Sequence, residues 1–166
     1  MGKERIAIYA GTFDPITDGH LDIVTRGAQL FDRLIVAVSE NPRKGPLFHV
    51  DERVELVQRV IGHLDNVSVI SFHKLLVDLA IEQNASTIIK GIRAVSDFEY
   101  ELQLALTNRR LAPEVDTVYL LPSEEHTFIS SSVIKEVAAY GGDVSSMVPA
   151  AVLTALQKKF EKESPY

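Results

Sequence analysis

The residues best suited to chemistry stand close to the N-terminus, in Gly11-Thr12-Phe13-Asp14-Pro15-Ile16-Thr17-Asp18-Gly19-His20. Thr12 supplies a hydroxyl and His20 an imidazole, and the turn between them offers backbone amides but no lysine. The apolar run Ile6 to Ala10 ahead of the turn reads as a short buried strand. Leu21, Val24, Ala28 and Phe31 behind it recur at helical spacing. Thr17 or Asp18 is placed to cap that helix, so its first free amides open into the turn. A helix N-terminus at the end of a first strand is a site for an anion, most often a phosphate. Neither the G-x-x-x-x-G-K-[ST] loop nor the G-x-G-x-x-G turn is present.

Further polar groups recur after later apolar runs. Lys90-Gly91-Ile92-Arg93 places two cations three residues apart, around a glycine. Ser130-Ser131-Ser132 precedes Val133, Ile134, Val137 and Ala138 at helical spacing, so hydroxyls and free amides gather at a helix start. Lys44 stands in a Pro- and Gly-rich loop, Ser39 to Pro46. By spacing alone, Leu75 and Leu76 fit either a core or the wall of an apolar pocket. Arg109-Arg110 reads as solvated charge.

The elements that must position these groups alternate regularly. Runs at 6–10, 34–38, 67–70, 87–89 and 117–121 read as strands. Helical patterns lie between them, including Asp51 to Leu64 with Asp51 as its cap, and about Asp97 to Arg110 with Phe98, Leu102, Ala105 and Leu106 as a buried stripe. Ser96 with Glu99 forms a capping box for the latter. Pro149 is placed as the first residue of a last helix. This alternation predicts an α/β, Rossmann-like fold: a five-stranded parallel sheet with helices on both faces. In such a sheet the Thr12–His20 turn, Lys44, Leu76, Lys90 to Arg93 and His126 to Ser132 fall on the carboxyl edge, where ligands bind.

The 166 residues suit a single domain, 1–166, with a fraying tail from about 158. Net charge of −6 argues against a broad nucleic-acid surface and, with scattered basic loops, favours a small polyanion. No apolar run approaches ~20 residues, so no membrane span is expected. There are no cysteines, which excludes thiolate metal sites and cysteine nucleophiles and fits the cytoplasm.

The stretch Gly11 to His20, which carries Thr12 and ends in Thr17-Asp18-Gly19-His20, resembles the T-x-G-H signature of nucleotidyltransferases related to class I aminoacyl-tRNA synthetases. Tyr9 to His20, Lys90 to Ala94, Asp97 to Glu101 and Phe128 to Ser132 together resemble, in order, the phosphopantetheine adenylyltransferase family. The resemblance implies transfer of the adenylyl group of ATP to 4′-phosphopantetheine with Mg²⁺, giving dephospho-coenzyme A and pyrophosphate. It implies catalytic roles for His20, Lys44 and Arg93, and contacts from Thr12 to both substrates. Lys44, Leu76 and Lys90 would meet phosphopantetheine. Phe13, His20, Gly91, Ile92, Arg93, Glu101 and the run His126, Thr127, Phe128, Ile129, Ser130, Ser131, Ser132 would meet ATP. Lys90 stands where arginine is common in the family, which keeps the charge but loses bidentate geometry. A homohexamer, with possible feedback binding of coenzyme A, is implied as well.

The residues fit such chemistry without a covalent intermediate. A phosphate nucleophile has a second pKa of about 6 and needs no general base. The task is to bring polyanions together and hold charge on the α-phosphate. No cluster of carboxylates is evident for a metal, so Mg²⁺ is expected on the ATP phosphates and water. Another small nucleotidyltransferase, or a non-catalytic nucleotide sensor on the same fold, would share the opening turn.

Overall fold

A computed structural model describes residues 2, 4–41, 43, 45–93 and 95–161, with the backbone alone for 95–97. Lys44 therefore lies outside the described residues. The strands are β1 (Ile6–Gly11), β2 (Arg33–Ser39), β3 (Val67–Phe72), β4 (Thr87–Gly91) and β5 (Asp116–Leu120). Between and after them come α1 (Asp18–Leu30), α2 (Val50–Ile61), α3 (Leu76–Glu82), α4 (Val95–Leu111), a 3₁₀ turn at Glu124–His126, α5 (Ser131–Ala139) and α6 (Ala150–Glu161). The strands pair in the order β3-β2-β1-β4-β5, and every pairing is parallel. This is the expected α/β, Rossmann-like sheet.

The alternation of side chains along each strand divides the core in two. Ala7 and Tyr9 of β1, Leu34, Val36 and Val38 of β2 and Ile89 of β4 face one layer, packed by α1, α2, α5 and α6. Ile6 and Ile8, Ile35 and Ala37, and Ile88 face the other, with α3 and the α4–β5 connection. Both faces of the central strands are thus covered, as a parallel sheet requires. Among the described residues, no helix is long and apolar enough to cross a membrane.

Several local expectations change. His49, not Asp51, is the N-cap of α2, because its amide donates to Glu52 Oε2 at 2.7 Å; Asp51 sits in the first turn. α4 opens at Val95, so Ser96 lies inside the first turn, not at the cap. Pro149 precedes α6, and its carbonyl accepts from Val152 and Leu153. Lys158 to Glu161, expected in a fraying tail, form the end of α6. Lys159 there pairs with Glu52 at 3.0 Å and stands over the Phe48 ring.

The largest difference concerns α4. Phe98, Leu102 and Leu106, read as a buried stripe, are 46%, 41% and 57% exposed. α4 accompanies the edge strand β5, and among the described residues no further layer lies outside it. Helical spacing reports that a face is apolar, not that the same chain covers it.

α1 packs closely on the sheet at Gly27. A Cβ there would lie 3.1 Å from Ile89 Cδ1 and 3.2 Å from Leu34 Cδ2, and both neighbours are fully buried. Gly27→Val should therefore destabilise the fold by about 1–3 kcal/mol through overpacking. Chemical denaturation should show the loss as a lower midpoint at constant slope, and an unchanged midpoint would contradict it.

Candidate active site

The strand order reverses between β1 and β4, the topological switch point at which ligands bind in open α/β sheets. A cleft of about 500 Å³ opens there. Tyr9, Ala10, Thr12 and Phe13 reach it from β1 and its exit, and Lys90, Gly91 and Arg93 from β4 and its exit. Glu101 comes from α4, and His126 and Ile129 to Ser132 from the segment entering α5.

The opening turn is built around α1. Thr17 is its N-cap, and the Thr17 hydroxyl accepts from the His20 amide at 3.3 Å. In return, His20 Nδ1 accepts from the Thr17 amide at 3.0 Å. A backbone N–H can only donate, so Nδ1 is unprotonated and the hydrogen of the neutral ring is on Nε2. Burial, with the positive charge of Arg93 as the second cause, lowers the His20 pKa to about 4. His20 is thus a neutral hydrogen-bond donor at physiological pH. Its ring meets Phe13 edge-on, with centroids 5.1 Å apart, and Phe13 in turn meets Tyr9 at 5.4 Å. Phe13 holds φ at +48°, a strained conformation for a bulky residue. Gly11 leaves room for it, since a Cβ there would come 3.1 Å from the Phe13 ring. Burial also raises the Tyr9 phenol pKa, keeping it protonated.

Charge in the cleft is partly prepaired. Lys90 Nζ stands 3.8 Å from Glu101 Oε2, a buried oxygen with no hydrogen-bond partner among the described residues. Arg93 donates to the Ile129 carbonyl at 3.2 Å, which ties the β4 exit to the segment before α5. Ser130 caps α5 by accepting from the Val133 amide at 3.3 Å. The Ser131 hydroxyl donates to the Pro15 carbonyl at 2.8 Å, bracing α5 against the opening turn. The start of α5 carries no acidic side chain, so its free amides present a positive end to the cleft.

Not every expected site residue reaches this cleft. Leu76 starts α3 beyond β3, two strands from β1, and packs against the opposite core layer. Ile92 donates its amide to the Leu120 carbonyl, and the Thr127 hydroxyl donates to the Ser123 carbonyl. Phe128 is 92% exposed. None of these four lines the cleft. Asp14 and Lys135 line it without having been singled out. The Asp14 carboxylate, 3% exposed, accepts from the Leu47 and Phe48 amides at 2.9 and 3.0 Å and from Lys135 Nζ at 2.5 Å. Lys135 was recognisable only as the residue one helical turn beyond Ser131.

Comparison with known proteins now adds to the geometry. Residues 8–137 match the model of the cytidylyltransferase-like family. The chain belongs to the cytidylyltransferase-like family. Nucleotidyl transfer is therefore its chemistry, and a nucleotide its ligand. A crystal structure from Vibrio parahaemolyticus, provisionally described as a nicotinate-nucleotide adenylyltransferase, matches with a TM-score of 0.73 at 19% identity, over 98% of each chain. The lipopolysaccharide core biosynthesis protein from Thermoplasma volcanium GSS1 matches with a TM-score of 0.55 at 22% identity, over 73% of this chain and 98% of its own. At these identities the two likenesses concern the fold. As a member of this family, the chain places T-x-G-H at the point where its β1 turn meets α1.

The Thr17–His20 pairing has a measurable consequence. The folded pKa of about 4 lies below the ordinary 6.5. Above 6.5 His20 is neutral in both folded and unfolded chains, so it contributes no pH dependence there. As pH falls from 6.5 towards 4, only the unfolded chain takes up the proton, and stability declines. Nitrogen-detected NMR of the imidazoles should show the Nε2–H form of His20 unchanged from pH 8 to pH 5.5. A midpoint near 6.5, or a proton on Nδ1, would contradict the arrangement.

Proposed function

We propose that this nucleotidyltransferase moves the adenylyl group of ATP to 4′-phosphopantetheine, giving dephospho-coenzyme A and pyrophosphate. The observation that carries the reading is the meeting of Thr12, His20, Lys90, Arg93, Glu101 and Ser130 to Ser132 in one cleft. They come from the four separate segments on which the family resemblance rests. A phosphate oxygen of the acceptor attacks the α-phosphorus with its own electron pair. The bond from the α-phosphorus to the bridging oxygen breaks, and pyrophosphate leaves with that pair. No proton has to be removed from the nucleophile.

His20 Nε2–H donates to an α-phosphate oxygen, where charge must be held as the centre becomes five-coordinate. Its neutrality suits a donor that must not give its proton away. Arg93 and the first amides of α5 receive the outer phosphates of ATP. Lys90 takes the acceptor phosphate on leaving Glu101, and Lys44 joins it by resemblance. Mg²⁺ supplies charge neutralisation when it is bound. Among the described residues no group of His, Cys, Asp or Glu is arranged to hold a metal. Asp14 is occupied by Leu47, Phe48 and Lys135, and Glu101 faces Lys90. The ion is proposed to arrive on ATP, held by its phosphates and by water.

Coenzyme A shares the pantetheine arm of the product and is proposed as a feedback ligand of the same cleft. The exposed apolar face of α4 supports self-association, in line with the hexamer that the resemblance implies.

Purified protein with Mg²⁺ and ATP should release pyrophosphate when phosphopantetheine is added, and not with a nicotinate nucleotide or with CTP in place of ATP. The opposite acceptor or nucleotide preference would replace this reading. His20→Ala should lower kcat by about 10²–10³-fold, as loss of one oxyanion donor does. The same change leaves the Thr17 amide without its acceptor and should also cost about 1 kcal/mol of stability. Retained kcat in a destabilised variant would make His20 a cap and nothing more.

A further inference from the structure

Tyr9 lines the cleft from β1, and the mechanism above gives it no task. It is 6% exposed, with its ring set edge-on to Phe13. A buried tyrosine normally places its hydroxyl on a partner. Tyr119 does so, donating to the Glu101 carbonyl at 2.8 Å. The Tyr9 hydroxyl makes no such bond among the described residues. Nor is it sealed, since the fully enclosed side-chain atoms without a partner there are Arg33 Nε and Glu101 Oε2. Its oxygen therefore meets the open cleft.

The space beside that oxygen is kept clear. A Cβ on Gly91 would stand 3.9 Å from the Tyr9 oxygen and 3.5 Å from Ile23 Cγ1, both ordinary contact distances. The surrounding protein thus has room for a methyl group at Gly91, and its absence widens the cleft at the hydroxyl. Phenylalanine would fill the same wall at position 9 with no polar group to satisfy. The phenol stays protonated, because burial raises its pKa, and so it can donate. Arg93 is the charged group that acts on both Tyr9 and His20. The Tyr9 hydroxyl thus belongs to the volume that His20 and Arg93 face.

We infer that the Tyr9 hydroxyl donates a hydrogen bond to the β-phosphate of the bound nucleoside triphosphate, between the α-phosphate at His20 and the outer end at Arg93. This rests on the reading that His20 and Arg93 hold the triphosphate. When the bond from the α-phosphorus to the bridging oxygen breaks, its electron pair passes to the pyrophosphate. A donor on the β-phosphate meets that charge, and the phenol keeps its proton throughout.

The test is Tyr9→Phe, which removes the oxygen alone. In calorimetry the ATP Kd should rise by about tenfold or more, the scale of one hydrogen bond to a charged group. The AMP Kd should change by no more than about threefold. The kcat for pyrophosphate release with phosphopantetheine should fall by about tenfold or more. The melting temperature of the free protein should not fall, because no bond within the protein is lost. Equal weakening of ATP and AMP, or unchanged ATP affinity, would overturn the proposal. A lower melting temperature with ATP affinity intact would overturn it too, marking the hydroxyl as structural. In wild-type protein carrying ¹³C at tyrosine Cζ, the Tyr9 signal, identified by its contacts to Phe13, should shift with ATP and not with AMP. That measurement decides should Tyr9→Phe not fold, and equal shifts with both ligands would count against the β-phosphate. If the wild-type protein binds ATP but does not use phosphopantetheine, the acceptor reading fails and the binding measurements decide the role of Tyr9. If it binds CTP in place of ATP, the same comparison is made between CTP and CMP. Binding of neither triphosphate would overturn both readings.

Discussion

The reciprocal hydrogen bonds between Thr17 and His20 tie the start of a helix to the state of a ring that lines the cleft. In most capping boxes the third helical residue is Glu or Gln, whose only task is to satisfy an amide. Here the place is filled by histidine, and accepting the Thr17 amide removes any choice of tautomer. The interaction that lets α1 begin thus also leaves a hydrogen on Nε2. Burial strengthens the outcome, because a protonated ring would lose its bond to Thr17 and be desolvated beside Arg93. Helix initiation and the electrostatics of the site are one constraint seen from two sides.

That constraint bears on which mechanisms the cleft can serve. A histidine with a pKa of about 4, engaged at Nδ1, is a poor general base at neutral pH. A transfer whose nucleophile is already ionised needs none. The remaining charge is arranged in the same spirit. Lys135 is held by Asp14, and Lys90 stands near Glu101, so these cations are placed before any polyanion arrives. Preorganisation of this kind avoids the reorganisation that water would require at the moment of reaction.

The sheet, its order of elements and most of the cleft were legible because periodicity and short polar runs are local signals. Thr12, His20, Lys90, Arg93 and the three serines all sit where a strand ends or a helix begins, and such places are written in a few consecutive residues. Asp14, Arg53 and Lys135 were not legible as partners of the site. Their partners lie 33 residues away at Leu47, 41 at Thr12 and 121 back at Asp14. No pattern along the chain reports such distances. Leu76 lies away from the cleft, and a leucine after a strand fits a core and a pocket equally well.

α4 shows where a correct local reading stops short. Its apolar residues recur as a helix requires, and burial was the natural inference. The tertiary fold instead places that helix beside the edge strand β5, and no later element of the described chain crosses over it. α6, the last element in order, is drawn to the other face by Val152 and Leu156, both fully buried there. Two layers of helices around five strands leave one helix over, and the one left over lies at the end of the sheet. A face of that kind is stable in water only at a cost that grows with its apolar area. The same helix carries Glu101 into the cleft, where its carboxylate stands 3.8 Å from Lys90, so one helix presents an apolar face to solvent and an acid to the site.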